Sequence, residues 1–125
     1  MTPQEEIKEI LVRMFHAWNT EDLVGWLAPY SRSEDMRWSM KGRWYKGWSS
    51  MEREYSRGYP PGAMGIIAMT DLEIQIVEPA VAIALYHWTH TLPTQQIAGS
   101  TTQVFHEIDG RWQCIHENSA RVPAP

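Results

Sequence analysis

The sequence predicts an α+β chain in which helices come first and an antiparallel meander follows. Three observations carry this. Helical periodicity occupies the first half and is broken at Gly58-Tyr59-Pro60-Pro61-Gly62. From Ile66 onward the apolar period changes to two. Asp109-Gly110 then separates two strand-like runs, a strong short hairpin signal. No helical stretch separates the last strands, so a doubly wound βαβ arrangement is excluded.

The elements follow in order. Thr2-Pro3-Gln4-Glu5 forms a capping box with proline at the first helical position. Ile7, Ile10, Leu11, Met14, Phe15 and Trp18 then share one helical stripe, from which His16 points away. Asn19-Thr20-Glu21-Asp22 ends this helix and caps a shorter one through Leu23, Trp26, Leu27 and Tyr30. Met36 to Met40 reads as a strand, Lys41-Gly42 as a turn and Trp48 to Arg57 as a third helix. Ala68, Thr70, Leu72, Ile74 and Ile76 alternate with polar neighbours as one strand face. Glu78-Pro79-Ala80 and Leu92-Pro93-Thr94 are turns around a strand from Val81 to His90. Ile97 to Ile108 and Arg111 to Ser119 complete the meander.

Composition narrows the function. The 125 residues suit one domain, expected over 1–121 with a short tail at 122–125. With 11 Lys+Arg against 15 Asp+Glu, the net charge of −4 argues against sequence-independent nucleic-acid binding. Arg37, Lys41, Arg43 and Lys46 are interleaved with aromatics, but acidic residues lie beside them, so a partner surface or solvated loop is the better reading. A lone Cys114 excludes an internal disulfide and a multi-cysteine zinc site. No apolar run approaches the roughly 20 residues of a membrane helix, and the acidic start does not read as a signal peptide. A cytoplasmic protein is expected, with no cofactor and no metal. His87 and His90 are three apart on one strand and face opposite ways, so they cannot chelate one ion together. Counting out from Asp109-Gly110, His106 opposes Gln113 and His116 falls near Gln103, unless a bulge intervenes. Seven tryptophans, five tyrosines and two phenylalanines amount to a surplus of apolar surface.

The hairpin Gly99 to Ser119, with its Asp109-Gly110-Arg111-Trp112 turn, resembles that of SnoaL-like proteins and of calcium/calmodulin-dependent kinase association domains. Asn19-Thr20-Glu21-Asp22-Leu23 is similar to their helix junction, and Asp71-Leu72-Glu73 to a strand opening. Both groups belong to the nuclear transport factor two-like superfamily. The resemblance implies a cone-shaped half-barrel, cystatin-like, whose curved sheet wraps the helices around an apolar pocket. The arginines of the association-domain pocket correspond to His87, Gln103 and Ser119, none of them arginine. The steroid-isomerase tyrosine falls on Met14, and its acidic residues near Ser39 and Gln103, so that mechanism is not expected.

What the resemblance leaves is a pocket for a small hydrophobic molecule, lined by Met14, Trp18, Trp38, His87, Gln103, Phe105, Glu117 and Ser119. His87 and Glu117 are the expected acid–base pair, suited to isomerase, cyclase or lyase chemistry without metal. The aromatics could equally fill the cone as core. The alternative reading is a non-catalytic homo-oligomerisation module. On either reading a homodimer is expected through the outer sheet face, at Trp88, His90, Trp112 and His116, because aromatics are enriched in interface cores.

Overall fold

The computed structural model describes residues 1–122; of the tail expected at 122–125, all but Val122 lies outside the described residues. Helices α1 (Pro3–Asn19) and α2 (Leu23–Leu27) precede strands β1 (Arg37–Met40) and β2 (Arg43–Lys46). Helix α3 (Trp48–Gly58) follows, and then β3 (Ile66–Glu78), β4 (Val81–Thr91), β5 (Gln96–Ile108) and β6 (Arg111–Arg121). One curved, mixed sheet has the order β2-β1-β6-β5-β4-β3, with β1 parallel to β6 and all other neighbours antiparallel. The α+β architecture read from the sequence is the one observed.

Local chemistry explains the elements. Thr2 and Glu5 form the reciprocal capping box, and α1 buries Ile7, Leu11, Met14, Phe15 and Trp18 while His16 stays exposed. Both two-residue hairpin turns, Lys41-Gly42 and Asp109-Gly110, place two successive residues at positive φ, which matches the twist of the flanking strands. Asn19 ties the end of α1 to the start of β3, its side chain accepting from Ile67 N and donating to Ile67 O. Trp112 Nε1 donates to Glu6 Oε2 at 2.8 Å, joining β6 to α1. The core is aromatic: Trp18 packs edge-on against Trp26, Tyr55, Tyr59 and His90, while Trp38 stacks between Tyr45 and Tyr55.

Two bulges set which side chains face the helices. In β3, Thr70 pairs with His87 and Glu73 with Leu85, so Asp71 and Leu72 together oppose Tyr86; Asp71 sits at φ 56°. The half-buried face is therefore Ile67 and Met69 before the bulge and Leu72, Ile74 and Ile76 after it. The unbroken alternation expected from Ala68 to Ile76 holds only from Leu72 onward. In β6, Phe105 pairs with Cys114 and Val104 with His116, which leaves Ile115 as the extra residue. His106 does oppose Gln113, but beyond the bulge Gln103 pairs with Glu117 rather than with His116.

Strand β4 corrects the expected dimer seam. Ala82, Ala84, Tyr86 and His90 are buried beneath the helices, and Trp88 shares their face. Trp112 is likewise buried, on the inner face of β6. Of the four seam residues only His116 lies outside, with the exposed Trp44 ring 5.5 Å from it. The reason is compositional. Val81, Ile83 and Leu85 are as apolar as Ala82, Ala84 and Tyr86, so alternation along β4 does not mark an inner face.

Candidate functional site

Between the helices and the concave sheet face lies a cavity of about 120 Å³. Phe15, Trp18, Trp26, Tyr55, Tyr59, Tyr86 and Trp88 wall it, with Ile67 and Ile97. Lys41 and Arg121 stand at its exposed end, and Glu117 lines its interior. Thr101 Oγ1 and Ser119 Oγ, 3.0 Å apart, add a pair of hydroxyls on the sheet side.

Glu117 is the chemical centre of this arrangement. The bulge at Ile115 brings it there, because strict alternation from Trp112 and Cys114 would turn His116 inward and Glu117 out. Its Oε1 accepts from the Tyr30 hydroxyl at 2.6 Å and from Gln103 Nε2 at 2.7 Å. Tyr30 is placed by the chain just after α2, which runs beside β6. There Ser31 N donates to Cys114 O and Cys114 N donates to Pro29 O, each at 2.9 Å. Gln103 keeps its amide donor on the carboxylate while its own Oε1 is buried without a partner. Glu117 Oε2 takes no hydrogen bond from the described residues.

The electrostatics follow from burial. Desolvation raises the Glu117 pKa above its ordinary value, and the hydrogen bonds from Tyr30 and Gln103 oppose that rise only in part. Tyr55 and Tyr86 are pushed well above the ordinary phenol range, first by burial and then by the Glu117 charge. Both phenols therefore stay protonated donors at neutral pH. His90 Nε2 donates to the Met64 carbonyl at 2.6 Å, and Trp18 Nε1 donates to the same oxygen at 3.0 Å. This carbonyl fixes the His90 tautomer and holds its ring against the aromatic wall.

The structure distributes the expected pocket residues over three locations. Trp18, Glu117 and Ser119 line the cavity. Met14, Trp38, Gln103 and Phe105 are fully buried in the core beside it: Trp38 Nε1 donates to Ser50 Oγ at 2.9 Å, and Gln103 Nε2 donates to Glu117 Oε1 and, at 3.4 Å, to the Tyr30 hydroxyl. His87 is on the opposite face of the sheet. There its Nδ1 meets Asp71 Oδ2 at 3.1 Å, both side chains mostly exposed. The expected His87–Glu117 pair therefore does not form. Odd and even residues of β4 face opposite ways, and His90 is the histidine on the cavity side. Sequence reasoning missed Tyr30, Tyr55, Tyr86, Thr101, Lys41 and Arg121. The spacing of Tyr30 after Trp26 and Leu27 signalled burial but not its partner. Among the described residues, no group of three or more His, Cys, Asp or Glu side chains is placed to hold a metal ion. No helix among them is long and apolar enough to cross a membrane.

Comparison with solved structures decides the fold. An NTF-2 like protein of unknown function from Shewanella oneidensis MR-1 superposes with a TM-score of 0.89 at 24% identity, over 94% of this chain and 98% of that one. This chain has the nuclear transport factor 2-like, cystatin-like fold. A nuclear transport factor 2-like superfamily protein from Salmonella enterica matches at 0.76 and 20% identity, over 97% of this chain and 91% of that one. A Xanthomonas campestris protein classed as a calcium/calmodulin dependent protein kinase II association domain matches at 0.75 and 14%, over 100% and 94%. No protein-family model and no curated protein matches the sequence. The nuclear transport factor 2-like fold accounts for the cone and the concave cavity, whereas the chemistry within it belongs to the side chains of this chain.

Proposed function

We propose that this protein, as one domain over 1–121, binds a small, largely apolar organic molecule in the cavity and exchanges a proton with it through Glu117. One observation carries the reading: a buried carboxyl, held through one oxygen by Tyr30 and Gln103, lines an aromatic-walled cavity, and its other oxygen has no hydrogen bond from the described residues. An apolar pocket with a few convergent polar groups is the usual form of a small-molecule site. A carboxyl whose pKa burial has raised is a stronger base than a solvated one, and it keeps its proton to higher pH, so it can also serve as an acid. In its ionised form Oε2 accepts a proton from the ligand, and in its neutral form it returns one. The Tyr55 and Tyr86 phenols are available to donate hydrogen bonds to a ligand oxygen as charge shifts onto it. This is acid–base chemistry of the isomerase, cyclase or lyase type, and none of these steps calls for a metal. Cys114, a free buried thiol, suits the reducing setting of a cytoplasmic protein.

The test is a chemical-shift titration of the 15N-labelled protein with 4-ethylphenol. Saturable shifts at Trp18, Trp26 and Thr101 are expected, with loss of binding when Ser119→Phe fills the cavity. A folded wild-type protein that shows no saturable shift at those residues overturns the reading.

A second reading, self-association through the outer sheet face, is favoured by a different observation. Ile83 and Val104 are direct cross-strand partners there, and Leu85 beside them is 38% exposed. The association-domain neighbour lends this reading weight. Sedimentation is expected to show a dimer that Leu85→Glu dissociates. A stable monomer at micromolar concentration overturns it.

A further inference from the structure

We propose that the cavity is selective for aromatic carboxylates, with the ring inside the aromatic walls and the carboxylate at the mouth between Lys41 and Arg121. The proposal rests on the small-molecule reading of the same cavity and names its ligand class. The distribution of charge supports it first. The cavity lining holds Lys41 and Arg121 at the exposed end and a single carboxyl, Glu117, within. A shallow groove continues outward from the mouth past Lys41, Arg121 and Trp44, and no acidic side chain lines it. In a chain with 15 acidic residues and 11 basic ones, this end of the cone is a local positive site.

Position supports it second. Lys41 is the first residue of the β1–β2 turn, at φ 52°, and Arg121 closes β6 opposite Gly99. Lys41 therefore springs from a two-residue turn and Arg121 from a hydrogen-bonded strand end, neither from a long loop. Among the described residues neither pairs with a carboxylate.

The polarity gradient supports it third. A ligand anion kept at the mouth retains part of its hydration, so the desolvation that penalises a buried charge is avoided. The ring meets walls that are mainly aromatic, with Ile67 and Ile97 among them, and a polar substituent at its far end reaches Glu117. Burial shifts Glu117 toward its neutral form, which lessens repulsion of a bound anion.

The experiment compares 3-(4-hydroxyphenyl)propanoate with its methyl ester by calorimetry or chemical-shift titration. The wild type is expected to bind the acid at least tenfold more tightly than the ester, with a margin that shrinks at high salt. The double variant Lys41→Ala/Arg121→Ala is expected to lose this margin and keep its affinity for the ester. Lys41→Arg/Arg121→Lys, which retains both charges, is expected to preserve it. Equal binding of acid and ester, or a margin that survives in the double alanine variant, overturns the proposal and leaves the cavity reading standing. Binding of 4-ethylphenol without binding of either propanoate compound also overturns this proposal alone. If none of the three compounds binds, both readings fall.

Discussion

The Tyr30 hydroxyl donates to Glu117 Oε1 across 2.6 Å, joining two buried side chains 87 positions apart. The bond serves the ionised carboxylate, because the hydroxyl offers a proton to an oxygen that burial has stripped of water. Tyr30→Phe is therefore expected to destabilise the protein by about 1–3 kcal/mol where Glu117 is charged, and less in acid. Urea unfolding at alkaline and acidic pH measures this. An equal loss at both would mean that the hydroxyl serves packing rather than charge.

Glu117→Gln makes a prediction with a definite sign. The folded pKa lies above the ordinary value near 4.5, so the native state keeps its proton to higher pH than the unfolded chain. Wild-type stability then falls as pH rises from that ordinary value through the folded pKa. The glutamine variant carries no such proton. Its stability relative to wild type is expected to improve across this window, by on the order of 1 kcal/mol. Parallel pH–stability curves would contradict the raised pKa.

His87→Ala is expected to leave cavity binding unchanged and to alter stability by less than about 0.5 kcal/mol, because the Asp71 pair it removes is exposed. His90→Ala removes a cavity wall and the donor to Met64 O, and is expected to weaken ligand binding. Titrating both variants with the same phenol separates the two faces of β4. The reverse outcome would place the site on the outer face.

Gly99 is required for space. A Cβ there would lie 2.3 Å from both the Ala120 carbonyl oxygen and Trp88 Cζ2. Gly99→Ala is expected to cost about 1–3 kcal/mol and to displace the Trp88 indole from the cavity wall. Thermal unfolding and the Trp88 side-chain resonance report the two effects. Wild-type values for both would remove the steric argument.

Trp112→Phe tests the inward placement of that ring. Loss of its 2.8 Å bond to Glu6 is expected to destabilise the protein by about 1–2 kcal/mol without changing its oligomeric state. A change in sedimentation without a change in stability would return Trp112 to an interface.

Much of the fold is legible in the sequence because its signals are local. The Thr2–Glu5 capping box, the Lys41-Gly42 and Asp109-Gly110 turns, and the break at Gly58 to Gly62 each act within a few residues. Elements bounded by such signals appear where periodicity puts them. The functional site is less legible. Glu117 and Trp18 are recognisable as pocket residues through the family resemblance, yet His87, inferred the same way, belongs to the other face.

The sequence by itself determined the order of helices and strands, the turns that join them and the aromatic richness of the interior. Only the tertiary structure decided which strand faces look inward. That choice depends on single extra residues, Asp71 in β3 and Ile115 in β6, each of which reverses the facing of the side chains that follow it. On strands apolar on both faces, burial energy along the strand does not distinguish one register from the next. The docking of Tyr30 against β6 and the packing of the helices on the concave face make that distinction. With it they carry Glu117 into the cavity and leave His87 in water.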